Sequence, residues 1–452
     1  MKKILMVFAG IAGVTQGALA FDLAAAYQQA LVYNADYLKQ IASTDSTQEQ
    51  KNIARAQLLP QINATGSISE NYFNGSGIAA YYHQPVYGLT LQQTIFDWSK
   101  FSTYSKGKYA GEVGALQLVN AKQQLMVTVS QAYFDVLFAQ DTLVSIQKTK
   151  DALEKQMNQA KKSFEVGTVT IADVNDAQAG FDSSSAQEIQ ATNDLIYKKN
   201  IFQNLTGLDP NQIQPINDNI QLDLPVPQNV KAWAKQAESS NLNIQIAGKQ
   251  LSMADQDVAI AISGHLPTVN LVGSYTYTDT AGIDGVSGPE SQINSTSNIA
   301  GTPISSYSVG SLGVQANLPI YSGGGVNAQV RQARANYQAS QQQLVSVERT
   351  TDQNVQNTYW QVQNGVSIVK AQQAALKSAK SKLDSDKLGY QVGVRNSVDL
   401  VNSQKNYYQT FTTYQQSRYQ YLLARVQLRY LSGSVDDKFV HEINANIKPT
   451  QP

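Results

Sequence analysis

Two stretches of the chain place apolar side chains at every seventh position. In the first, Leu118, Leu125, Ala132, Ala139, Ile146, Leu153 and Ala160 form one row. Val129, Val136, Leu143, Met157 and Phe164 form a second row, broken only by Lys150. In the other stretch the equivalent of the second row is Val355, Val362, Val369, Leu376, Leu383 and Tyr390. Sustained heptads predict helices packed along their length with coiled-coil geometry. From Trp98 to Phe164 there is no proline, and as one straight helix this stretch is roughly 100 Å long. Helices of ordinary globular domains average about 11–12 residues. The remaining faces carry Gln, Asn, Ser and Thr, so each long helix is apolar on a limited stripe and wet elsewhere.

Four other segments alternate with a period of two: 61–73, 86–96, 268–280 and 307–321. Tyr87, Leu89, Leu91 and Ile95 share one face of the second. Val269, Leu271, Tyr275 and Tyr277 share one face of the third, opposite Asn270, Ser274, Thr276 and Thr278. Leu312, Val314, Ala316, Leu318 and Ile320 share one face of the fourth. Such alternation predicts half-buried strands. It suits a soluble sheet packed on the helices. The lengths also suffice for tilted membrane strands, which need about 9–11 residues.

The chain repeats itself. Val166-Gly167 and Val392-Gly393 are each followed by an aspartate at the same spacing, Asp173 and Asp399. Ala132-Tyr133-Phe134 matches Thr358-Tyr359-Trp360, and Leu205-Thr206-Gly207 matches Leu431-Ser432-Gly433 at the same offset. Earlier in each copy Asn34 matches Asn241 and Leu59-Pro60 matches Leu266-Pro267 at a shorter offset. The difference enters mainly through a Gly/Ser/Thr/Asn-rich loop in copy two, Thr280–Ser306. The expected division is a leader over 1–20, a first copy over 21–207, a connecting segment over 208–232, a second copy over 233–433 and a tail over 434–452. Each copy reads as helix, two strands, long helix, turn and return helix. The long helices are expected over 98–164 and 323–390, the turns over 165–170 and 391–396, and the return helices over 171–206 and 397–432.

Composition narrows the function. Lys+Arg and Asp+Glu both number 34, which gives no case for nucleic acid as a partner. With no cysteine, disulfides, thiolate metal sites and a lipid-anchored N-terminal cysteine are excluded. His83, His265 and His441 are the only imidazoles, and none is spaced to share a metal with another. No metal site, cofactor or catalytic constellation is expected, so the chain reads as a non-enzyme. Gly323-Gly324-Gly325 precedes a helix but lacks the lysine and spacing of a nucleotide loop. Lys2 and Lys3, the apolar run Ile4–Val14 and Ala18-Leu19-Ala20 form a leader expected to be cleaved near Ala20. That run is too short to span a bilayer.

The leader sends the chain out of the cytoplasm, and aromatics gather near the expected strand ends (Tyr72, Phe73, Tyr81, Tyr82, Phe96, Tyr321). Both tip the strands toward the membrane. Four strands cannot close a barrel, and an open edge in lipid leaves backbone groups unpaired. Membrane strands therefore require several chains per barrel. The alternatives are a periplasmic coiled-coil adaptor or scaffold with a soluble sheet, and a secreted hydrolase whose polar cluster the sequence does not contain.

Taken in order, "ARAQLLPQINATGS" (54–67), "AISGHLPTVNLVGS" (261–274), "LGVQANLPIYSGGGVNAQVRQARANY" (312–337) and the two Val-Gly turns followed by "LTG" and "LSG" resemble the TolC family of outer-membrane efflux and secretion channels. The resemblance covers about 21–436. It implies an α+β membrane protein: a homotrimer with a twelve-stranded outer-membrane β-barrel, four strands per chain. A long periplasmic α-helical barrel continues it, with a mixed equatorial domain at its waist. Pro319, Gly323, Gly324 and Gly325 are then the strand–helix junction, looser than Trp98-Ser99-Lys100 in copy one. The implied function is a passive exit duct in the outer membrane of a Gram-negative bacterium, for drugs, toxic small molecules and proteins. A periplasmic adaptor and an inner-membrane pump are the implied partners.

The turns have a local explanation. Gly167 and Gly393 supply a permissive backbone at helix ends. Thr170 with Asp173, and Asn396 with Asp399, read as N-terminal caps. By position, the resemblance further implies that Asp399 and Asn402 form the pore constriction, where the second ring is an amide rather than the usual acid. It implies that Tyr390, Arg395 and Asp173 clamp the inner to the outer helix pair. Because Ala172 stands where the family has a hydroxyl, Arg395 is expected to use Asp173, a backbone carbonyl or nothing. Packing in its heptad row is an equally good account of Tyr390.

Overall fold

The structure, a computed structural model, describes residues 20–75, 78–279, 283–284, 306–435 and 437–447. The expected leader and most of the loop expected over Thr280–Ser306 lie outside the described residues. In chain order the elements are α1 (Leu23–Tyr33), α2 (Ala35–Ala56), β1 (Gln61–Gly75), β2 (Ile78–Phe96), α3 (Trp98–Glu165) and α4 (Ile171–Thr206). There follow α5 (Val230–Ser240), α6 (Leu242–Ser263), β3 (Thr268–Asp279), β4 (Ile283–Asp284), β5 (Ser306–Asn317), α7 (Gly325–Gln391), α8 (Ser397–Leu431) and α9 (Asp437–Asn444). No helix among the described residues is long and apolar enough to cross a membrane.

By internal contacts the chain forms two units that cut across the two copies. One comprises Met1–Ala42, Leu116–Gln245 and Ser346–Pro452; the other comprises Ser43–Ala115 and Ile246–Val345.

The first unit holds the large core. The middle parts of the heptad rows face into it: Leu125, Val129, Ala132, Val136 and Ala139 of α3 are buried, as are Val355, Val362 and Val369 of α7, while Phe164 at the end of its row is exposed. Aromatics from both copies complete it. Phe21 stacks on Phe202 at 5.8 Å, and Phe134 stacks on Tyr419 at 5.9 Å. Tyr133 is fully buried and its hydroxyl donates to the Gln214 carbonyl at 2.7 Å, so the connecting segment is fastened to α3. Arg418 of α8 donates to the carbonyls of Asn217 and Asp218 in the same segment. The chain ends are tied as well. Asp22 caps α1 by accepting from Ala25 N–H at 2.8 Å, and its other oxygen accepts from Asn444 Nδ2 of α9 at 2.7 Å.

Each copy opens with two helices where one was expected. Asn34 and Asn241 are the reason. Both leave the helical backbone as C-caps of α1 and α5. Their side-chain oxygens then accept from the first turns of the next helices, Tyr37 N–H at 3.0 Å and Asn243 N–H at 2.9 Å. The local side-chain bond competes with helix continuation.

The second unit contains an antiparallel sheet in the order β1-β2-β3-β5, with β4 paired briefly to β2. Pro60, Pro267 and Pro319 all stand at one end of it. β5 stops at Asn317, four residues before the expected end at Tyr321. Pro319 has no N–H to continue the ladder, and its partner strand begins only at Thr268. β2 starts at Ile78 rather than residue 86, so Tyr81 and Tyr82 lie inside it and not at an end. Pro85 pairs with Ile68 just beyond the last β3 pairing, Val86 with Thr278. β2 is an edge on that side there, where proline is tolerated. The register aligns Ile62, Leu91, Gly273 and Leu312 in one row and Ala64, Leu89, Tyr275 and Gly310 in the next. This face is apolar yet open: Ile62 is 71% and Leu312 72% exposed. Tyr87 covers Gly66, and Tyr275 covers Gly310. The opposite face is polar, with Asn63, Thr90, Ser274 and Ser311 aligned and a 2.7 Å bond between the two serine hydroxyls.

Helices flank the sheet in sequence. Along α3, Gly107 meets the backbone of α2 at Gln50 and Lys51, and Thr44 donates to the Gly114 carbonyl at 3.1 Å. Lys106 pairs with Asp257 and Lys249 with Glu112, both at 2.6 Å. The two strand–helix junctions differ in build. In copy one Asp97 alone joins β2 to α3 and caps the helix through Lys100 N–H at 3.3 Å. In copy two seven residues separate β5 from α7, and Gly323 and Gly324 adopt φ of 61° and 79°. Gly325 N–H closes the turn on the Ser322 carbonyl at 3.0 Å.

Candidate functional site at the helical tip

The two turns are built alike. In copy one Gly167 has φ 74°, its N–H donates to Phe164 O at 2.9 Å, and Thr168 N–H donates to Ser163 O at 2.9 Å. In copy two Gly393 has φ 78°, its N–H donates to Tyr390 O at 3.2 Å, and Val394 N–H donates to Gly389 O at 2.8 Å. Both are Schellman endings, which satisfy the last carbonyls of the long helix and require the left-handed backbone that glycine adopts without cost.

The return helices start differently. Thr170 and Asp173 form a complete capping box: Asp173 N–H donates to Thr170 Oγ1 at 3.3 Å, and the Asp173 carboxylate accepts from Thr170 N–H at 2.8 Å and its hydroxyl at 2.7 Å. These bonds hold the Asp173 carboxyl below the ordinary aspartate range, the hydroxyl contributing most. Asn396 caps α8 by accepting from Asp399 N–H at 2.7 Å. The Asp399 side chain does not return to that cap. It lies 3.8 Å from Arg395 Nη1 and is 40% exposed. Capping thus accounts for Asp173 entirely but for Asp399 only through its backbone. Asn402 is exposed, three residues further along α8.

Of the outcomes expected for Arg395 (Asp173, a backbone carbonyl or nothing), neither of the first two is seen for its guanidinium among the described residues of the single chain. Asp173 is committed to Thr170. Arg395 Nε instead lies 3.4 Å from Asp386 on α7. Asp386 is a charged residue that pattern reading passed over. Its side chain is only 6% exposed and accepts from Lys382 Nζ at 2.5 Å and from the Ser403 hydroxyl of α8. Lys382 first, then Ser403 and the charge of Arg395, hold its carboxyl below the ordinary value. Tyr390 is the residue that reaches across: its hydroxyl donates to Gln159 Oε1 of α3 at 2.7 Å. Among the described residues the tip thus has one bond between hairpins, Tyr390–Gln159, and one charged cluster within the α7–α8 hairpin.

The pH response follows from the lowered acids. A carboxyl with a folded-state pKa below its unfolded value stabilises the structure above the unfolded value, and that contribution is lost as pH falls through the folded one. Asp386 and Asp173 both have this sign, relative to an ordinary value of 3.8. The contribution of these acids to the stability of the folded chain is therefore expected to be flat from neutrality down to that value and to be lost only below it, as thermal unfolding followed across pH would show. A loss of this stability that sets in well above it would contradict the lowered carboxyls.

Solved structures with this fold include outer-membrane channels. The Campylobacter jejuni CmeC channel superposes with a TM-score of 0.78 at 17% identity, covering 94% of this chain and 90% of that one. The sequence profile of the family described as Outer membrane efflux protein matches residues 26–208 and 233–434. The outer membrane protein TolC of Escherichia coli K12 is 32% identical over 451 residues, spanning 98% of this chain and 89% of TolC. The alkaline protease secretion protein AprF of Pseudomonas aeruginosa is 25% identical over 441 residues, spanning 95% of this chain and 88% of AprF. The chain belongs to the outer membrane efflux protein family. It is an outer-membrane efflux and secretion channel of the TolC kind, and the adaptor alternative is set aside.

Proposed function

We propose that three copies of the chain close one twelve-stranded barrel in the outer membrane of a Gram-negative bacterium and form a passive exit duct. The carrying observation is the sheet itself. It presents a continuous open apolar face, and β1 and β5 are its two edges. In lipid both edges need strand partners, and chains joined edge to edge supply them. The polar opposite face then lines the lumen. The leader is removed near Ala20, the two copies form the stacked repeats over 21–207 and 233–433, and residues 208–232 and 434–452 belong to the equatorial region.

The helical tips are the gate. Asp399 and Asn402 of each chain form the constriction, and Tyr390 and Arg395 restrain it. The duct performs no chemistry of its own. Energy comes from an inner-membrane pump reached through a periplasmic adaptor. The cargo is drugs and toxic small molecules, with proteins a second class suggested by the similarity to AprF.

Purification of the mature chain with and without detergent tests the assembly. The expected result is a species with the mass of three chains that needs detergent and forms ion-conducting channels in planar bilayers. A chain soluble as a monomer without detergent would overturn the reading.

A further inference from the structure

We propose that Asp386 is a positioning residue: it holds Arg395 against Asp399 and so gives the constriction acid a counterion from its own hairpin. This rests on the reading that Asp399 lines the duct.

The geometry is specific to five side chains and one glycine. Asp386 is buried and bonded from α7 and α8 at once, by Lys382 and Ser403. Ser403 Oγ also accepts from Lys382 Nζ at 2.9 Å and lies 2.9 Å from the Asp399 carbonyl, its single proton going to Asp386. A carboxylate held in this way cannot follow a mobile arginine; the arginine must come to it. Arg395 is seated for this purpose. Its N–H donates to the Gly389 carbonyl at 3.0 Å. A side chain at Gly389 would stand 2.8 Å from Arg395 Cγ, so the glycine leaves room for the arginine stem. The guanidinium is planar, with donors on separate edges. Nε faces Asp386 at 3.4 Å while Nη1 faces Asp399 at 3.8 Å. Left alone, a half-exposed pair such as Arg395–Asp399 holds its geometry poorly. Anchorage by a buried acid removes that freedom.

The consequence is electrostatic. Lys382 and Arg395 balance Asp386 and Asp399, so the constriction does not present bare carboxylates. A multivalent cation entering it must compete with a guanidinium already in place.

The test uses the full-length channel in planar bilayers, with lanthanum(III) ions added on the periplasmic side. Block is read relative to each variant's own open current. Arg395→Gln and Asp386→Asn are each expected to lower the half-blocking concentration, by on the order of tenfold. The double variant should block no more tightly than Arg395→Gln alone, because both changes remove one device. Asp386→Glu keeps the charge and should block as the unaltered protein does. In an Asp399→Asn background, Asp386→Asn should change nothing. If Asp399→Asn weakens block while Asp386→Asn leaves it unchanged, the anchor is overturned and the constriction assignment stands. Effects of Asp386→Asn and Arg395→Gln that multiply, or Asp386→Glu behaving like Asp386→Asn, would also overturn it. Block that survives Asp399→Asn intact would remove the constriction assignment, and the anchor with it.

Discussion

Tyr390→Phe is expected to raise the resting conductance of the channel about two- to tenfold, with no help from any change at Arg395. The substitution removes a hydroxyl that donates to Gln159 at 2.7 Å and keeps the ring that ends the heptad row. A hydrogen bond of this kind contributes about 0.5–1.5 kcal/mol net, and about 1.4 kcal/mol is a factor of ten in an equilibrium. Gln159 is left facing water, so no buried-group penalty adds to that. Arg395→Ser alone should have the smaller effect on opening, because its partners Asp386 and Asp399 lie in its own hairpin. The combined variant should resemble Tyr390→Phe. Single-channel recording decides it. If Tyr390→Phe conducts like the unaltered protein, Tyr390 acts by packing alone and the bond to Gln159 does not restrain the gate.

The second large effect concerns stability. Gly433→Ala is expected to cost about 2–5 kcal/mol, whereas its repeat partner Gly207→Ala costs about 1–2 kcal/mol. Both glycines have left-handed backbones, φ 65° and 72°, and that conformation accounts for the common part. The remainder depends on what a Cβ would meet. At Gly433 it would overlap the backbone carbonyl of Ser240, at the end of α5. At Gly207 it would meet the ring of Tyr33 at 2.8 Å, a half-exposed side chain that can swing aside. Thermal unfolding followed by circular dichroism should show a clearly larger drop in midpoint for Gly433→Ala. Equal drops would mean that the end of α5 yields as readily as a surface tyrosine.

What could be read in advance follows from the range of the interactions. Heptad rows at Val129, Val136, Val355 and Val362 are local patterns, and those side chains are buried. The start of α4 was legible because Thr170 and Asp173 are three residues apart and cap each other. The early start of β2 was not. The Tyr81–Pro85 stretch lacks alternation, and Pro85 reads as a breaker until the end of β3 is known. Asn34 and Asn241 were matched as repeat partners, but their bonds to the next helix show only in three dimensions. Asp386 was missed for a related reason. With Lys382 four residues before it, it resembles a solvated helix pair. Its burial depends on Ser403, which arrives from the neighbouring helix. The pairing of Arg395 with Asp386 was illegible for the same cause, since it depends on Asp386 being buried.

The tie between Asp22 and Asn444 gives the first unit a long-range closure. That unit draws on three separate stretches of the sequence, and α1 is held at its start by α9, 422 residues further along. Its core is therefore expected to be completed after the local hairpins have formed, because contacts of high sequence separation carry a larger closure entropy and form slowly.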